Sequence, residues 1–327
     1  ALAHHPHPGD RRVEPVHEDF PGEALMEQSL PKRILRDITA VVVVAIFMFP
    51  LFWWALTSIK PMYAIFNKDK VVVFDFVPTL INYAVVLLGW SRASIAIESG
   101  STFGVGGTSS YDSRQTIIDS IIVAVGSTGL TIILAVLAAY ALSRMRFKGR
   151  AGFLNWVLGQ RFLPPIAIIV PLVGMYKVAG MRDTDNLFLG YVGLIIIHSL
   201  MNLPIAVLLL KSFFDDVPKD VDEAAMIDGA TRWQTFLKVV LPMVRGGVAA
   251  AAVLCFIFSW TEFLLSLFLT TIIRTVPVKI TTFVTSTGSE WGFISALGTA
   301  AILPGFIFIL LVQRHLVRGL TLGSLKE

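Results

Sequence analysis

Six long runs of apolar residues alternate with polar connections along this chain. About 20 apolar residues cross a bilayer as a helix, and lipid leaves no backbone group unpaired, so each run predicts a transmembrane helix. The strict apolar–polar alternation that a β-barrel requires is absent from the sequence. We therefore predict an all-α, polytopic helical membrane protein. The predicted spans are residues 38–59, 120–143, about 152–176, 186–210, about 243–273 and 291–313.

Some of these runs contain residues that disfavour a straight apolar helix. The third run contains Arg161 and the pair Pro164-Pro165, and the fifth contains Glu262 near its middle. The fourth and sixth runs contain Pro204 and Pro304. A proline kinks a helix and frees carbonyl groups, which other residues of the bundle must then satisfy.

The composition agrees with a membrane protein. Hydrophobic residues make up 55% of the chain and charged residues only 15%, whereas a soluble domain has about 25% charged residues. The formal net charge of +4 is too small to indicate a nucleic-acid partner. Cys255 is the single cysteine, which excludes an internal disulfide and a cysteine-rich metal site.

Lysine and arginine are concentrated beside alternate connections, and this bias predicts the orientation in the membrane. The basic stretches are 32–36, 144–150, 211–245 and 314–326. The remaining short connections hold two basic residues each. We therefore expect both termini and the connection around residues 213–242 to lie in the cytoplasm.

That cytoplasmic connection, DDVPKDVDEAAMIDGATRWQTFLK, has the signals of a short helix. Pro218 suits the first turn, and Asp215 or Asp216 is placed to cap it, since a carboxylate accepts the free N–H groups at a helix start. The helix is predicted over residues 219–227. Its small alanines would let another macromolecule approach closely.

The same connection also predicts a sharp bend and a second helix. Asp228-Gly229 ends the first helix, because glycine tolerates the backbone angles of a tight turn. Thr231 and Gln234 have the spacing of a capping box, which places the start of the next helix at Thr231. This helix is expected to continue to Leu241-Pro242, where the fifth membrane span begins.

Ionisable residues inside a membrane are costly and usually face the bundle interior or a water-filled path. Arg161, His198 and Glu262 are the candidates here, with Asn202 one turn after His198. Arg161 is a path residue or snorkels to the cytoplasmic interface, and His198 lines the path or packs through hydrogen bonds. Glu262 belongs to the path or is a structural partner of Arg161 or His198. No metal-ligand spacing and no nucleophile–base pair accompanies them.

Two polar stretches lie outside these spans. The tail before residue 34 contains four histidines, and we favour a disordered cytoplasmic tail over a histidine metal site. The first apolar run is too long, and begins too far along the chain, for a cleaved signal. The outward loop 60–116 is expected to hold a strand and a short amphipathic helix within 74–90. Its Gly/Ser-rich part, 91–113, contains GVGG without a following lysine, so a linker is favoured over a phosphate loop.

The acidic connection resembles a known motif. Its residues match the pattern EAA-x3-G-x9-I-x-LP except that Val239 replaces isoleucine. The chain is thereby similar to permease subunits of binding-protein-dependent ABC importers. The stretches AYALSRMRFKGR, FLPPIAIIVPLVGMYKVAGMRDTDN and LVRGLTLGSLKE resemble the carbohydrate-uptake branch, of the six-helix maltose-permease type. The resemblance covers approximately residues 34–327, apart from the loop around 91–113.

This resemblance implies that the connection is a coupling helix, which docks on a separate cytoplasmic ATPase dimer. The coupling residues that it implies are Glu223, Ala224, Ala225, Asp228, Gly229, Leu241 and Pro242. The chain has no G-x4-GK[ST] phosphate loop, so ATP and Mg²⁺ belong to the partner and the chain is a transport subunit without catalytic residues. No cofactor is expected in this chain.

The resemblance also implies the other partners. These are a second, unlike permease subunit, the lipid bilayer and a periplasmic solute-binding protein, whose contact candidates are Thr281, Ser286 and Glu290. The implied organisation is an N-terminal tail (1–33), a first membrane helix (34–59), a long periplasmic loop (60–116), a permease core (117–317) with the coupling loop 213–242, and a cytoplasmic tail (318–327).

The implied solute is a sugar, an oligosaccharide or a polyol such as glycerol, with a non-carbohydrate solute as the alternative. An ion-coupled secondary transporter would usually show an internal repeat, which the two halves lack, and would leave the acidic connection unexplained. An intramembrane enzyme would need a catalytic group that His198 and Glu262 alone do not supply.

Overall fold

Most of the protein is helical. The computed structural model describes residues 30–66, 75–90, 111–162, 164–285 and 288–323. Within these ranges the only strands are two short ones of two residues each, which pair antiparallel with one another. The chain divides into two compact units, residues 1–53 and 54–327.

The helices are named here in chain order. The first seven are α1 (Leu30–Ser58), α2 (Met62–Phe66), α3 (Ile81–Leu88), α4 (Arg114–Arg144), α5 (Arg150–Gly159), α6 (Pro165–Val178) and α7 (Leu187–Asp216). The others are α8 (Lys219–Ile227), α9 (Arg232–Thr235), α10 (Leu241–Met243), α11 (Arg245–Trp260), α12 (Leu264–Leu269), α13 (Val276–Thr281) and α14 (Trp291–Gly323). A 3₁₀ turn (Gln160–Phe162), a π-helical turn (Phe236–Val240) and the strands β1 (Val284–Thr285) and β2 (Gly288–Ser289) complete the described elements.

Four helices are long and apolar enough to cross a membrane within the described part of the chain. They are α1, α4, α7 and α14, which correspond to the predicted first, second, fourth and sixth spans. Several boundaries differ from the prediction. The helix α1 begins at Leu30, inside the predicted tail 1–33, and α4 begins at Arg114, inside the predicted loop 60–116. The helix α7 runs to Asp216, inside the predicted coupling loop 213–242, and α14 continues to Gly323. Residues 318–323 of the predicted C-terminal tail are therefore helical.

The third predicted span is interrupted where the sequence places Arg161 and Pro164-Pro165. The helix α5 ends at Gly159, the 3₁₀ turn follows, and α6 begins only at Pro165. Pro164 has an extended backbone, with φ −65° and ψ 127°. Proline disfavours a helical conformation for the residue before it and cannot donate a helical hydrogen bond. The 14 residues of α6 are too few to cross about 30 Å of hydrocarbon.

The fifth predicted span is also interrupted. It begins near Met243, as predicted, where the segment Arg232–Met243 meets Arg245–Trp260 at an angle of 75°. The helix α11 then ends at Trp260, and the short α12 follows after three non-helical residues. The broken segment leaves backbone N–H groups that need acceptors, and Glu262 provides them as described below.

The core lies between α4, α7 and α11. Apolar residues of all three are fully buried, among them Ala135, Leu210 and Cys255, so the apolar interpretation of Cys255 is confirmed. Small residues allow close packing: a Cβ on Gly247 of α11 would overlap the ring of Phe213 on α7. Such small residues are typical of helix interfaces in membranes, where close backbone approach drives association.

The predicted outward loop 60–116 contains the helices α2 and α3 and the start of α4, but no strand, within its described residues 60–66, 75–90 and 111–116. The expected helix is present as α3, and the expected strand is wrong because residues 77–80 form no ladder. Asn82 anchors α3 by donating to the carbonyls of Ser58 at 2.8 Å and Lys60 at 3.0 Å. Residues 91–110 of the Gly/Ser-rich part, and residues 1–29 of the tail with its four histidines, lie outside the described residues.

Candidate coupling site

Residues 219–235 form the feature that we call the coupling elbow. It consists of α8, a turn at Gly229 and α9. Gly229 has φ +88°, in the left-handed region that glycine adopts without steric cost. The backbone N–H of Thr231 donates to Gln234 Oε1 at 2.8 Å, and the N–H of Gln234 donates to Thr231 Oγ1 at 3.3 Å. The predicted bend and capping box are both confirmed.

The predicted cap of α8 is wrong. Asp215 and Asp216 are the last two residues of α7, so only Val217 and Pro218 connect α7 to α8. Pro218 is the N-cap residue, and no side chain caps the helix. Asp215 instead accepts a hydrogen bond from Ser143 Oγ at 2.6 Å and pairs with Lys211 one turn earlier.

The elbow presents a mixed acidic and apolar surface. Glu223, Ala224, Asp228 and Gly229 are exposed, and Ala225 is half-buried. The apolar side chains of Ile227 and Trp233 also lie on this surface, and they are 85% and 59% exposed. Exposed apolar residues grouped together are typical of interaction sites.

Leu241 and Pro242 lie apart from this surface. Leu241 is half-buried and Pro242 is exposed, and both line an apolar groove of about 440 Å³ that reaches Val312 of α14. The structure therefore separates the seven motif residues into an exposed bend and a groove at the base of α11.

The inner side of the elbow is attached to α4 and α7. Arg144 Nε lies 3.0 Å from Asp222 Oδ2, and Arg144 Nη2 donates to the carbonyl of Val217 at 2.9 Å. Tyr140 donates to Asp222 Oδ1 at 3.2 Å. Tyr140, Arg144 and Asp222 line a cleft of about 170 Å³, and Glu223 also lines it.

Aromatic rings complete this attachment. Tyr140 of α4 packs against Phe214 of α7, with ring centroids 5.6 Å apart, and against Phe236, with centroids 4.6 Å apart. Phe214 and Phe236 are fully buried. Their burial stabilises the position of the elbow by about 1.5–3 kcal/mol each relative to exposed side chains.

A second group of polar residues is buried between the membrane helices. Ser127 Oγ of α4 donates to Ser259 Oγ of α11 at 2.8 Å, and Ser259 Oγ lies 2.8 Å from His198 Nδ1. The other ring nitrogen of His198, Nε2, lies 3.4 Å from Glu262 Oε2. The structure thus brings His198 and Glu262 together.

Glu262 also caps the helix α12, which follows the break in the fifth segment. Its carboxylate accepts the backbone N–H groups of Leu265 at 2.8 Å and Ser266 at 3.2 Å, which are the free donors at the start of α12. Like His198, Asn202 contacts α11: its amide nitrogen lies 3.4 Å from the Cys255 carbonyl. His198 and Asn202 are both buried, and the Glu262 side chain is 20% exposed. Arg161 belongs to the 3₁₀ turn, and its side chain is not among those described.

The predicted binding-protein contacts flank the β-hairpin. Thr281 is exposed at the end of α13, and Glu290 is half-buried, with its backbone N–H donating to the Phe283 carbonyl at 3.0 Å. Ser286 lies outside the described residues. Nearby, Lys279 is buried over the Phe283 ring, and burial lowers the pKa of this lysine.

Several residues at these sites were not recognised from the sequence. The sequence indicates Arg144 only as one of the basic residues that orient the membrane helices, and it gives no sign of a role for Asp222, Ser127 or Ser259. A signal for Arg144 was its position in the last turn of a predicted helix, where a cation is favoured. No sequence signal indicated which carboxylate it would contact.

A family profile described as the binding-protein-dependent transport system inner membrane component matches residues 127–322. The chain belongs to this family. It is accordingly a permease subunit of an ABC importer, a transport component of the inner membrane and not an enzyme. Membership in a binding-protein-dependent system also implies an ATPase and a solute-binding protein as partners.

Curated relatives extend this match over most of the chain. The sulfoquinovosyl glycerol transport system permease protein SmoH of Agrobacterium fabrum is 34% identical over 89% of this chain and 93% of its own length. The trehalose/maltose transport system permease protein MalG of Thermococcus litoralis is 33% identical over 92% of this chain and 99% of its own. The diacetylchitobiose uptake system permease protein DasC of Streptomyces coelicolor is 29% identical over 92% and 100%.

One solved structure in the same class supports the fold. A chain from the crystal structure of a bacterial ABC transporter, involved in the import of the acidic polysaccharide alginate, superposes with a TM-score of 0.63. The alignment covers 88% of this chain and 98% of the other, at 20% identity. The permease fold of this family is therefore shared.

Proposed function

We propose that this subunit imports a sugar or an oligosaccharide by alternating access, driven by ATP hydrolysis on a separate ATPase dimer. The names of the three curated relatives, which refer to sulfoquinovosyl glycerol, trehalose or maltose, and diacetylchitobiose, support the carbohydrate class. A polyol such as glycerol is a narrower alternative within this proposal. ATP and Mg²⁺ bind to the ATPase. This chain contributes the path of the solute through the membrane and the coupling elbow, which transmits the motion of the ATPase.

The observation that carries this proposal is the exposed coupling elbow. Its outer face combines Glu223 and Asp228 with small residues and with the 85%-exposed Ile227. A charged side chain beside an apolar one offers a partner both an electrostatic contact and buried area. In the proposal this face docks on the ATPase in the cytoplasm, and both chain termini lie on that side.

The other predicted partners and the path candidates have separate roles in this proposal. A second, unlike permease subunit completes the path, and the solute-binding protein meets the outward side near Thr281, Ser286 and Glu290. Among the path candidates, Glu262 has the exposure for contact with a solute, whereas the burial of His198 and Asn202 supports a packing role. Arg161 stays a candidate by position alone.

Site-directed cross-linking tests the docking face. Cysteine is placed at Ile227 in a Cys255→Ala background, and the membrane complex is treated with a short bifunctional thiol–amine reagent. We expect a cross-linked product with the ATPase subunit. The matched control carries cysteine at the exposed Ile272, on the predicted outward side, and should give none. A product at Ile272 but not at Ile227 would overturn both the docking face and the orientation.

A further inference from the structure

A nearly buried ion pair joins the coupling elbow to the second membrane helix. The side chains of Arg144 and Asp222 are only 9% and 11% exposed. Arg144 lies in the last turn of α4, and Asp222 lies in the first turn of α8. Each charge therefore also complements the dipole of its own helix. We infer that Arg144 and Asp222 form a strut, which transmits a displacement of the elbow to α4; this inference rests on the proposed ATPase coupling.

The same guanidinium also holds the connection that enters the elbow. Its Nη2 donates to the Val217 carbonyl at 2.9 Å while its Nε faces Asp222 at 3.0 Å. Val217 is buried, and together with Pro218 it forms the whole connection between α7 and α8. An arginine fork can engage two acceptors in one fixed geometry, whereas a lysine is a single point charge. Arg144 therefore fixes α8 at two adjacent points.

The two ends of α8 differ in how firmly they are held. At the first turn, Asp222 accepts a hydrogen bond from Tyr140 and forms an ion pair with Arg144, and burial strengthens these contacts. At the other end, no atom lies within 4 Å of the position that a Cβ on Gly229 would occupy, among the residues described. A partner that pushes the exposed face of α8 would thus move α4 through Arg144, while the bend at Gly229 accommodates the motion.

Three variants separate this role from neighbouring contacts. Arg144→Ala removes the strut, and the exchange of Arg144→Asp with Asp222→Arg reverses its charges. The control is Lys211→Ala, which breaks the adjacent Lys211–Asp215 pair; this pair lies on α7 alone and does not reach the elbow. Ile133 of α4 and Ile302 of α14, which are exposed and lie outside the docking face, are replaced by cysteines for spin labels in a Cys255→Ala background, so that the label distance reports movement of α4.

The measurement is made on the complete complex with its ATPase, in liposomes. The probe is Mg-ATP with vanadate, and the readout is the distance between the two spin labels. In the unaltered complex, and in Lys211→Ala, we expect nucleotide trapping to shift this distance. In Arg144→Ala we expect the ATPase to stay bound and to trap nucleotide, while the shifted population falls roughly tenfold. The charge exchange should restore part of the shift.

An unchanged shifted population in Arg144→Ala would overturn the strut. If that variant does not fold, Arg144→Lys is measured instead, since it keeps a charge near Asp222 but not both contacts; we expect a loss of roughly threefold, and a full response would likewise overturn the inference. Failure of the proposed function is distinguishable, because the ATPase would then be absent from the complex of the unaltered chain.

Discussion

The carboxylate of Asp183 accepts the backbone N–H of Ile273 at 2.7 Å, although the two residues are 90 positions apart. The same carboxylate accepts the N–H groups of Thr271 and Ile272. Asp183 is buried, and Gly190 of α7 packs directly against it. A single side chain thus satisfies the backbone of the segment that follows α12, where the broken fifth segment leaves regular structure.

Asp183→Ala is expected to destabilise the protein, because three backbone N–H groups lose their acceptor and that of Ile273 is buried. A buried unsatisfied group costs about 1–3 kcal/mol, so the free energy of unfolding should fall by at least about 1 kcal/mol. Thermal unfolding in detergent measures this loss. Asp185→Ala is the matched control, since Asp185 is exposed and contacts only the adjacent Thr184 among the described bonds. Equal midpoints for the two variants would contradict the assignment.

Ser259→Ala should also destabilise the protein, because it interrupts the chain from Ser127 to His198. His198 Nδ1 would lose its hydrogen-bond partner while buried, at a cost of about 1–3 kcal/mol. The control is Ser212→Ala on the exposed face of α7, where the hydroxyl bonds only the carbonyl of Leu209. Thermal unfolding is again the measurement, and a Ser259 variant as stable as the control would refute the buried network.

Glu223→Lys is expected to leave insertion and folding unchanged, since the side chain is exposed and its backbone is in a regular helix. The reversed charge should weaken ATPase docking, with binding-protein-stimulated ATP hydrolysis reduced by about tenfold or more. Hydrolysis by the purified complex measures this effect. Asp185→Lys, the same change at a distant exposed acid, should have no effect; full stimulation in the Glu223 variant would count against docking at this face.

Gly229→Ala should strain the bend without a steric clash, because φ is +88° and no described atom lies within 4 Å of the added Cβ. Left-handed backbone costs a residue with a side chain about 1–2 kcal/mol. The control is Gly152→Ala in the helix α5, which also has open space around it but no positive φ. We expect the midpoint of thermal unfolding to fall for Gly229→Ala only, and a lowered midpoint for both would point to crowding instead of strain.

Local features of the elbow could be predicted because their causes lie within a few residues. The capping box needs only Thr231 and Gln234 three positions later, and the bend needs only Gly229. The cap by Asp215 could not be judged in this way. It depended on where α7 ends, and α7 runs to Asp216 because Asp215 finds partners in Ser143 and Lys211.

Average hydropathy predicted the number of apolar runs but not their continuity. Pro164-Pro165 was recognised as a possible kink, yet it divides the third run into two helices that are each too short to cross a bilayer. The break at Glu262 was not predicted. A carboxylate can end a membrane helix only where neighbouring groups stabilise its charge, and its neighbour His198 comes from a distant part of the chain.

The sequence by itself determined the membrane class, the helical elements, the acidic elbow and the family, because each depends on composition or on residues close together in the chain. Only the tertiary structure decided which charges meet. Arg144 contacts Asp222, and Asp183 contacts the segment at Ile273, since helix packing brings these distant positions within hydrogen-bond distance. Pairing across such separations depends on how α4, α7 and α11 pack, and no local pattern records that arrangement.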